Sequence, residues 1–253
     1  MTTAFSSLPT LGDTWQKTLQ WQPDKSQRAL FQKLYKGILQ GNQQFNLTRI
    51  TAPEEFWEKH LWDSLLGIAP WLPTAEPSEI AVPPVQRVID IGTGGGFPGL
   101  PVAIAQPTWQ ITCLDSTRKK IAFLAELSQS LGLDQVQTAA DRAESFGRHP
   151  AQRESYDLAL IRAVGPVTVC AEYALPLVKV NGVAVLYRGQ WTAAEASALG
   201  EAAARLGGGD IEVQAATTPL TQGVRHCLYI RKQSSTPVEF PRAPGTPAKQ
   251  PLG

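Results

Sequence analysis

The residues whose types and spacing could do chemistry lie in one stretch, Arg87-Val88-Ile89-Asp90-Ile91-Gly92-Thr93-Gly94-Gly95-Gly96-Phe97-Pro98-Gly99-Leu100-Pro101. A short apolar run stops at the carboxylate of Asp90, glycines follow at 92, 94, 95, 96 and 99, and a helical pattern begins. A strand that feeds a glycine-rich turn onto a helix N-terminus brings backbone N–H groups close to a cofactor. Two cofactor classes fit. Gly94 to Gly99 satisfies G-x-G-x-x-G, and Asp115 ends the next apolar run, which is the dinucleotide pattern of a dehydrogenase. Asp90 points the other way. Its carboxylate would oppose a bound pyrophosphate and favour a cationic ligand, such as the α-amino group of S-adenosylmethionine, directly or through water. Asp115 would then accept ribose hydroxyls, with Ser116 and Thr117 adding hydrogen bonds. The plainer readings are a polar strand end for Asp90 and a helix N-cap for Asp115.

Alternating strands and helices must position these groups. Apolar runs predict strands near 87–91, 110–114, 135–139, 156–161, 182–187, 210–215 and 225–231, with helices near 98–106, 117–131, 168–178 and 192–206. Short links between them argue a parallel, doubly wound sheet. The last two strands are joined only by a loop through Pro219 and Gly223, so a hairpin is expected there, with one antiparallel strand in the sheet. Upstream, residues 1–86 read as a helical cap and linker. Ser26 is a plausible N-cap for a helix carrying Leu30, Phe31, Leu34, Tyr35, Ile38 and Leu39, which Gly41-Asn42 would end. A second helix starts near Pro53, with Glu54 and Glu55 in its first turn, and runs to Leu66. The first ten or so residues read as loose, residues 73–86 as a linker, and residues 87–232 as the cofactor-binding domain. Residues 233–253 form a proline-rich tail with Arg242 and Lys249, of a composition that also fits disorder.

The chain has 253 residues, 43% of them hydrophobic, and 23 Lys+Arg against 22 Asp+Glu. Net charge therefore does not select a nucleic-acid partner, and any basic surface must be local. Cys113, Cys170 and Cys227 are far apart and in apolar contexts, which fits buried free thiols in a reducing compartment and neither a disulfide framework nor a zinc site. No apolar run approaches the roughly 18 residues of a membrane span. A cytoplasmic protein without membrane contact is expected.

The ordered motifs closely resemble the bacterial ribosomal RNA small-subunit methyltransferase G family, also called glucose-inhibited division protein B. The resemblance runs from Asn46-Leu47-Thr48 through His60 with Asp63-Ser64, the stretch Asp90 to Pro101, and Leu114-Asp115-Ser116. It continues through Lys119-Lys120 with Phe123-Leu124, Arg142-Ala143-Glu144, Arg162-Ala163, Gly189-Gln190 and Arg225-His226, ending near Lys232. Phe240 to Leu252 looks like the extension of one branch of that family. Arg188 stands where the family usually has Lys, and Ala243 and Gln250 stand where the tail is usually basic.

The resemblance implies a Rossmann-like, S-adenosylmethionine-dependent methyltransferase fold with a seven-stranded, mostly parallel sheet. It implies methylation of guanine N7 in a conserved loop of 16S rRNA, as naked RNA or as the 30S subunit, by an enzyme expected to be a monomer. By motif position, Gly92, Gly94 and Phe97 join Asp90 at the cofactor. Asp115, Ser116 and Thr117 meet the ribose, Ala143-Glu144 the adenine end, and Arg162 lies by the methyl group and acceptor base. N7 carries no proton, so no general base is needed, and Arg162 is the residue expected to act at the acceptor, by positioning cofactor or phosphate. His60, His149 and His226, isolated in sequence, read as structural or RNA-facing. Arg142, Lys119, Lys120 and Arg225 are candidate RNA contacts; Arg142 reads equally as a solvated loop residue, and the two lysines as a solvated helix face. A non-enzymatic RNA-binding factor on the same fold stays open beside the dehydrogenase.

Overall fold

The computed structural model describes residues 6–73 and 82–253, so residues 74–81 of the expected linker lie outside the described residues. Among the described residues, four α-helices precede the sheet: α1 (Gly12–Leu19), α2 (Lys25–Phe45), α3 (Pro53–Phe56) and α4 (Asp63–Leu66), the last two joined without a break by a π-helical turn, Trp57–Trp62, and followed by a 3-10 turn, Ala69–Trp71. Strand and helix then alternate: β1 (Arg87–Ile91), α5 (Gly99–Ala105), β2 (Gln110–Asp115), α6 (Arg118–Leu131), β3 (Val136–Ala140), α7 (Ala143–Arg148), β4 (Tyr156–Arg162) and α8 (Val167–Ala174). β5 (Val178–Arg188), α9 (Ala193–Arg205), β6 (Gly208–Thr217), β7 (Val224–Lys232) and α10 (Thr246–Lys249) complete the chain.

The strands form one sheet in the order β3-β2-β1-β4-β5-β7-β6. The first five are parallel, and β7 inserts antiparallel between β5 and β6. The hairpin and the seven-stranded, mostly parallel sheet are as expected. The inserted strand separates this topology from the plain dinucleotide order, in which a sixth strand follows the fifth in parallel. Strand order reverses between β1 and β4, and such a switch point opens a crevice at the C-terminal strand ends.

Period-two alternation divides the apolar residues between two cores. Leu158, Leu160, Val183, Val185, Cys227 and Tyr229 face the N-terminal helices, α5 and α6. Ile89, Ile91, Ala159, Ile161, Ala184 and Leu186 face α8, α9 and the C-terminal tail. The N-terminal helices share the first core with the sheet, and Trp15 packs edge-on against Trp57 with ring centroids 4.7 Å apart.

Several expectations need correction. Asp24, not Ser26, caps α2: it accepts from Gln27 N–H at 2.8 Å, and the Gln27 side chain completes a capping box. Gly41 does not stop α2. A Cβ there would lie 2.3 Å from the Phe123 ring, and one on Gly37 2.5 Å from Leu127. These glycines, one turn apart, let α2 approach α6 closely, so α2 continues to Phe45. α8 ends at Ala174 rather than 178, because Pro176 disfavours helix in the residue before it. The short helices α1 and α7 had no expectation. The tail is not disordered: Phe240 and Leu252 are buried in the second core, and Arg153 donates to the carbonyls of Phe240 and Thr236, both at 2.6 Å.

Candidate functional site

β1 is buried from Val88 to Ile91 and delivers Asp90 beneath the glycine turn. Gly92 and Gly94 take φ of +71° and +57°, a left-handed conformation that costs other residues about 1–2 kcal/mol. A Cβ on Gly92 would come within 2.6 Å of Val164. The turn is tied to the end of β2, with Gly92 N–H and Thr93 N–H donating to Leu114 O at 2.8 and 3.0 Å. Asp115 fastens two loops at once, accepting from Gly94 N–H at 3.0 Å and from Thr117 N–H at 2.8 Å.

Two cavities open at the C-terminal strand ends and share Gly92, Asp115 and Ala163 in their walls. The smaller, of about 420 Å³, is lined by Ile91, Leu114, Ser116, Ala143 and Glu144, together with Ala248 of the tail. The larger, of about 700 Å³, is lined by Gly94, Phe97, Lys120, Arg162 and Arg225 of the expected set. It adds His60, which the sequence reads as structural or RNA-facing, and Lys59, Asp63, Tyr187 and Arg188, to which it gives no site role. Its five Lys and Arg side chains against Asp63 and Asp115 make it locally basic despite the balanced chain, as a polyanion partner requires.

Asp90 calls for a correction. It is fully buried and lines neither cavity. Its Oδ2 accepts from Thr93 Oγ1 at 2.6 Å and from Gly99 N–H at 2.7 Å, bracing the two ends of the glycine turn. Its Oδ1 is buried without a partner. Burial pushes its pKa up to about 6, against the Thr93 and Gly99 hydrogen bonds. Thr117 and Lys119 are likewise absent from both cavity walls: both are exposed at the start of α6, and Thr117 supplies a backbone N–H rather than its hydroxyl.

Arg162 is held from the N-terminal helices. Its Nη1 donates to Lys59 O and to Asp63 Oδ2, both at 2.7 Å, and its guanidinium carbon lies 5.9 Å from the Phe97 ring centroid. In the π-turn Asp63 N–H reaches back five residues to Glu58 O rather than four to Lys59 O. The other oxygen of Asp63 accepts from Arg225 Nε at 3.0 Å, so one carboxylate joins two arginines. His60 stacks on Phe97 with centroids 4.2 Å apart and planes 9° from parallel, and its Nε2 bonds Thr48 Oγ1 at 2.7 Å. Burial, with the nearby Arg162 charge, pushes His60 down to about 3, so it is neutral at physiological pH. The i, i+3 spacing of His60 and Asp63 on one helix face was the available sequence signal.

Arg142 is engaged within the protein: it forks onto Glu144 with bonds of 2.7 and 3.2 Å. Glu144 is buried and also accepts from Gly245 N–H at 2.7 Å. Burial pushes the Glu144 carboxyl up, yet the hydrogen bonds from Arg142 and Gly245 outweigh it and hold the group below the usual range.

Residues 27–225 match the family described as "GidB: rRNA small subunit methyltransferase G". The chain is 55% identical over 246 residues to the ribosomal RNA small subunit methyltransferase G of Trichormus variabilis, covering 97% of this chain and 98% of that protein. It is 54% identical over 226 residues to the protein of that name from Microcystis aeruginosa, covering 89% and 99%. Among solved structures, cofactor-bound Rv0187 from MTB superposes with a TM-score of 0.53 at 19% identity, over 90% of this chain and all of that one, a likeness of fold.

Proposed function

The chain belongs to the rRNA small subunit methyltransferase G family, and from that premise we propose that it transfers a methyl group from S-adenosylmethionine to N7 of a guanine in a conserved loop of 16S ribosomal RNA. One observation carries this reading: a nucleoside-sized cavity and a basic cavity meet at Gly92, Asp115 and Ala163, at the sheet's switch point. Their sizes fall in the ordinary range of ligand sites, about 300–1,000 Å³.

The lining suits the cofactor. Asp115 and Ser116 offer polar groups for a ribose, and Ile91, Leu114 and Ala143 an apolar wall for a base. The turn from Gly92 to Gly95 keeps side chains away where the methionine part would pass. When bound, S-adenosylmethionine supplies an electrophilic methyl group on a sulfonium.

The chain's own work is alignment and electrostatics. Guanine N7 offers a lone pair and no proton, so the neutral His60 is not required as a base. Holding two reactants in line contributes on the order of 7–11 kcal/mol. Arg162, fixed by Lys59 O and Asp63, is a rigid donor at the acceptor cavity for an RNA phosphate or base edge. A guanine methylated at N7 is cationic, so bare guanidinium groups beside it would oppose the reaction. Asp63 offsets the charge of Arg162 and Arg225 there. Lys120 and Lys59 extend the basic lining toward solvent for phosphates. N7 lies in the deep groove of A-form RNA, so a loop or a splayed base is the suitable target. The substrate puts the reaction in the cytoplasm; among the described residues no helix is long and apolar enough to cross a membrane.

The test incubates the protein and labelled S-adenosylmethionine with 30S particles, or with 16S RNA, from a strain lacking the enzyme. Mass spectrometry of rRNA fragments should find one methylated guanine, and the absence of label at guanine N7 in both substrates would overturn the proposal.

A further inference from the structure

The C-terminal tail does not hang from the sheet; it is built onto the rim of the smaller cavity. Arg242 clasps the fully buried Glu172 of α8, donating from Nε and Nη2 at 2.9 and 2.6 Å, with its backbone N–H adding a third bond at 2.8 Å. Pro241 packs against Gly147 of α7, where a Cβ would stand 3.2 Å from the proline ring. Gly245, at φ +84°, then turns the chain so that its N–H meets Glu144 Oε1 at 2.7 Å. Glu144 and Ala143 line the smaller cavity, and Ala248 of α10 lines it with them. A proline-rich segment with little freedom to lose has thus been fixed by a buried carboxylate on each side, with Ala248 of α10 in the cavity wall.

We propose that the tail is a wall of the cofactor site: residues 242–249 close the end of the smaller cavity that takes the nucleoside, and cofactor affinity depends on them. This rests on the reading of that cavity given above. The Gly245–Glu144 hydrogen bond is the link. Glu144 is held at once by Arg142 on the cavity side and by the tail backbone, so ordering either the cavity or the tail favours the other. Linkage makes the effect reciprocal: a nucleoside in the cavity holds the tail down.

Trypsin reads this on the intact wild-type protein, because Arg242 and Lys249 are its cleavage sites in the tail. S-adenosylhomocysteine and adenosine should each slow cleavage at these two positions by about fivefold or more, the low end of ordinary coupling between sites, whereas methionine alone should not. In parallel, a chain ending at Arg242 keeps the Glu172 clasp but loses Gly245 and Ala248. By calorimetry it should bind S-adenosylhomocysteine about fivefold or more weakly, with affinity for 16S RNA unchanged. Should the shortened chain fail to fold, the proteolysis of the intact protein still decides. Normal S-adenosylhomocysteine binding by the wild type with unchanged tail cleavage would overturn the inference and leave the methyltransferase reading intact. A wild-type protein that binds no S-adenosylhomocysteine would overturn that reading, and the inference with it.

Discussion

The guanidinium of Arg162 donates to the Asp63 carboxylate at 2.7 Å although 99 residues of chain separate them. One residue ends β4 and the other opens α4, so the bond pins the N-terminal helices to the open end of the sheet. Arg225 of β7 reaches the same carboxylate, and Tyr187 of β5 donates to the neighbouring Ser64 O at 2.8 Å. Three strands are thereby fixed to one turn of helix, whose Asp63 lines the larger cavity.

Asp63→Asn keeps the shape and removes the charge, leaving two arginines side by side. Breaking a buried ion pair costs about 3–5 kcal/mol; the side chains of Arg162 and Arg225 are 14% and 28% exposed, so solvent screening lowers this to about 2 kcal/mol. Urea unfolding should show that loss, and rRNA methylation should fall further than affinity for S-adenosylhomocysteine. A variant with wild-type unfolding and turnover would show that the carboxylate is no clamp.

Arg162→Lys tests geometry rather than charge. One nitrogen, Nη1, makes the bonds to Lys59 O and Asp63 Oδ2, and an ammonium could copy those, but it has no planar guanidinium to lie over Phe97 and no second amino group to offer a substrate. Methylation kcat/KM should drop by about a hundredfold, the scale of a small misplacement at a reacting centre, with the fold retained. Activity within a factor of about two would remove Arg162 from the site.

Gly92→Ala places a methyl group 2.6 Å from Val164 at a φ of +71°. The backbone strain, about 1–2 kcal/mol, burdens the fold with or without ligand; relieving it by shifting the turn would displace the backbone that faces the cofactor, and a displacement worth about 1.4 kcal/mol of binding is tenfold in affinity. Calorimetry should therefore find S-adenosylhomocysteine bound about tenfold or more weakly, while Val164→Gly in the same chain recovers part of the loss. Undiminished affinity in the single variant would mean that the turn does not contact the cofactor.

His60 supplies a pH signature. Its folded pKa of about 3 lies below the ordinary value of 6.5, so between these limits the unfolded chain binds a proton that the folded chain does not. Stability from this residue is complete above about pH 6.5 and falls as pH drops toward 3, by up to about 1.4 kcal/mol per pH unit. Wild type should lose stability relative to His60→Gln between pH 7 and pH 5 in denaturant titrations. A difference that stays constant with pH would show that the ring is not held neutral.

The local pattern of the sequence determined the strand–helix alternation, the glycine turn with Asp115 beyond it, and the antiparallel ending, because each depends on periodicity or on residues a few positions apart. Ordered motifs added the family. Tertiary structure alone decided where side chains go. Asp90 reads as a ligand carboxylate, yet a buried strand turns it inward to brace the loop. Gly41 reads as a helix stop, yet it serves a helix–helix contact 82 residues away with Phe123. Arg142 and Arg225 read as free cations, yet both face carboxylates within the protein. The Arg162–Asp63–Arg225 cluster and the tail at the cavity rim join segments far apart in the chain. Ion pairs and packing across such separations leave no periodic trace in sequence, since only the folded sheet brings their partners within reach.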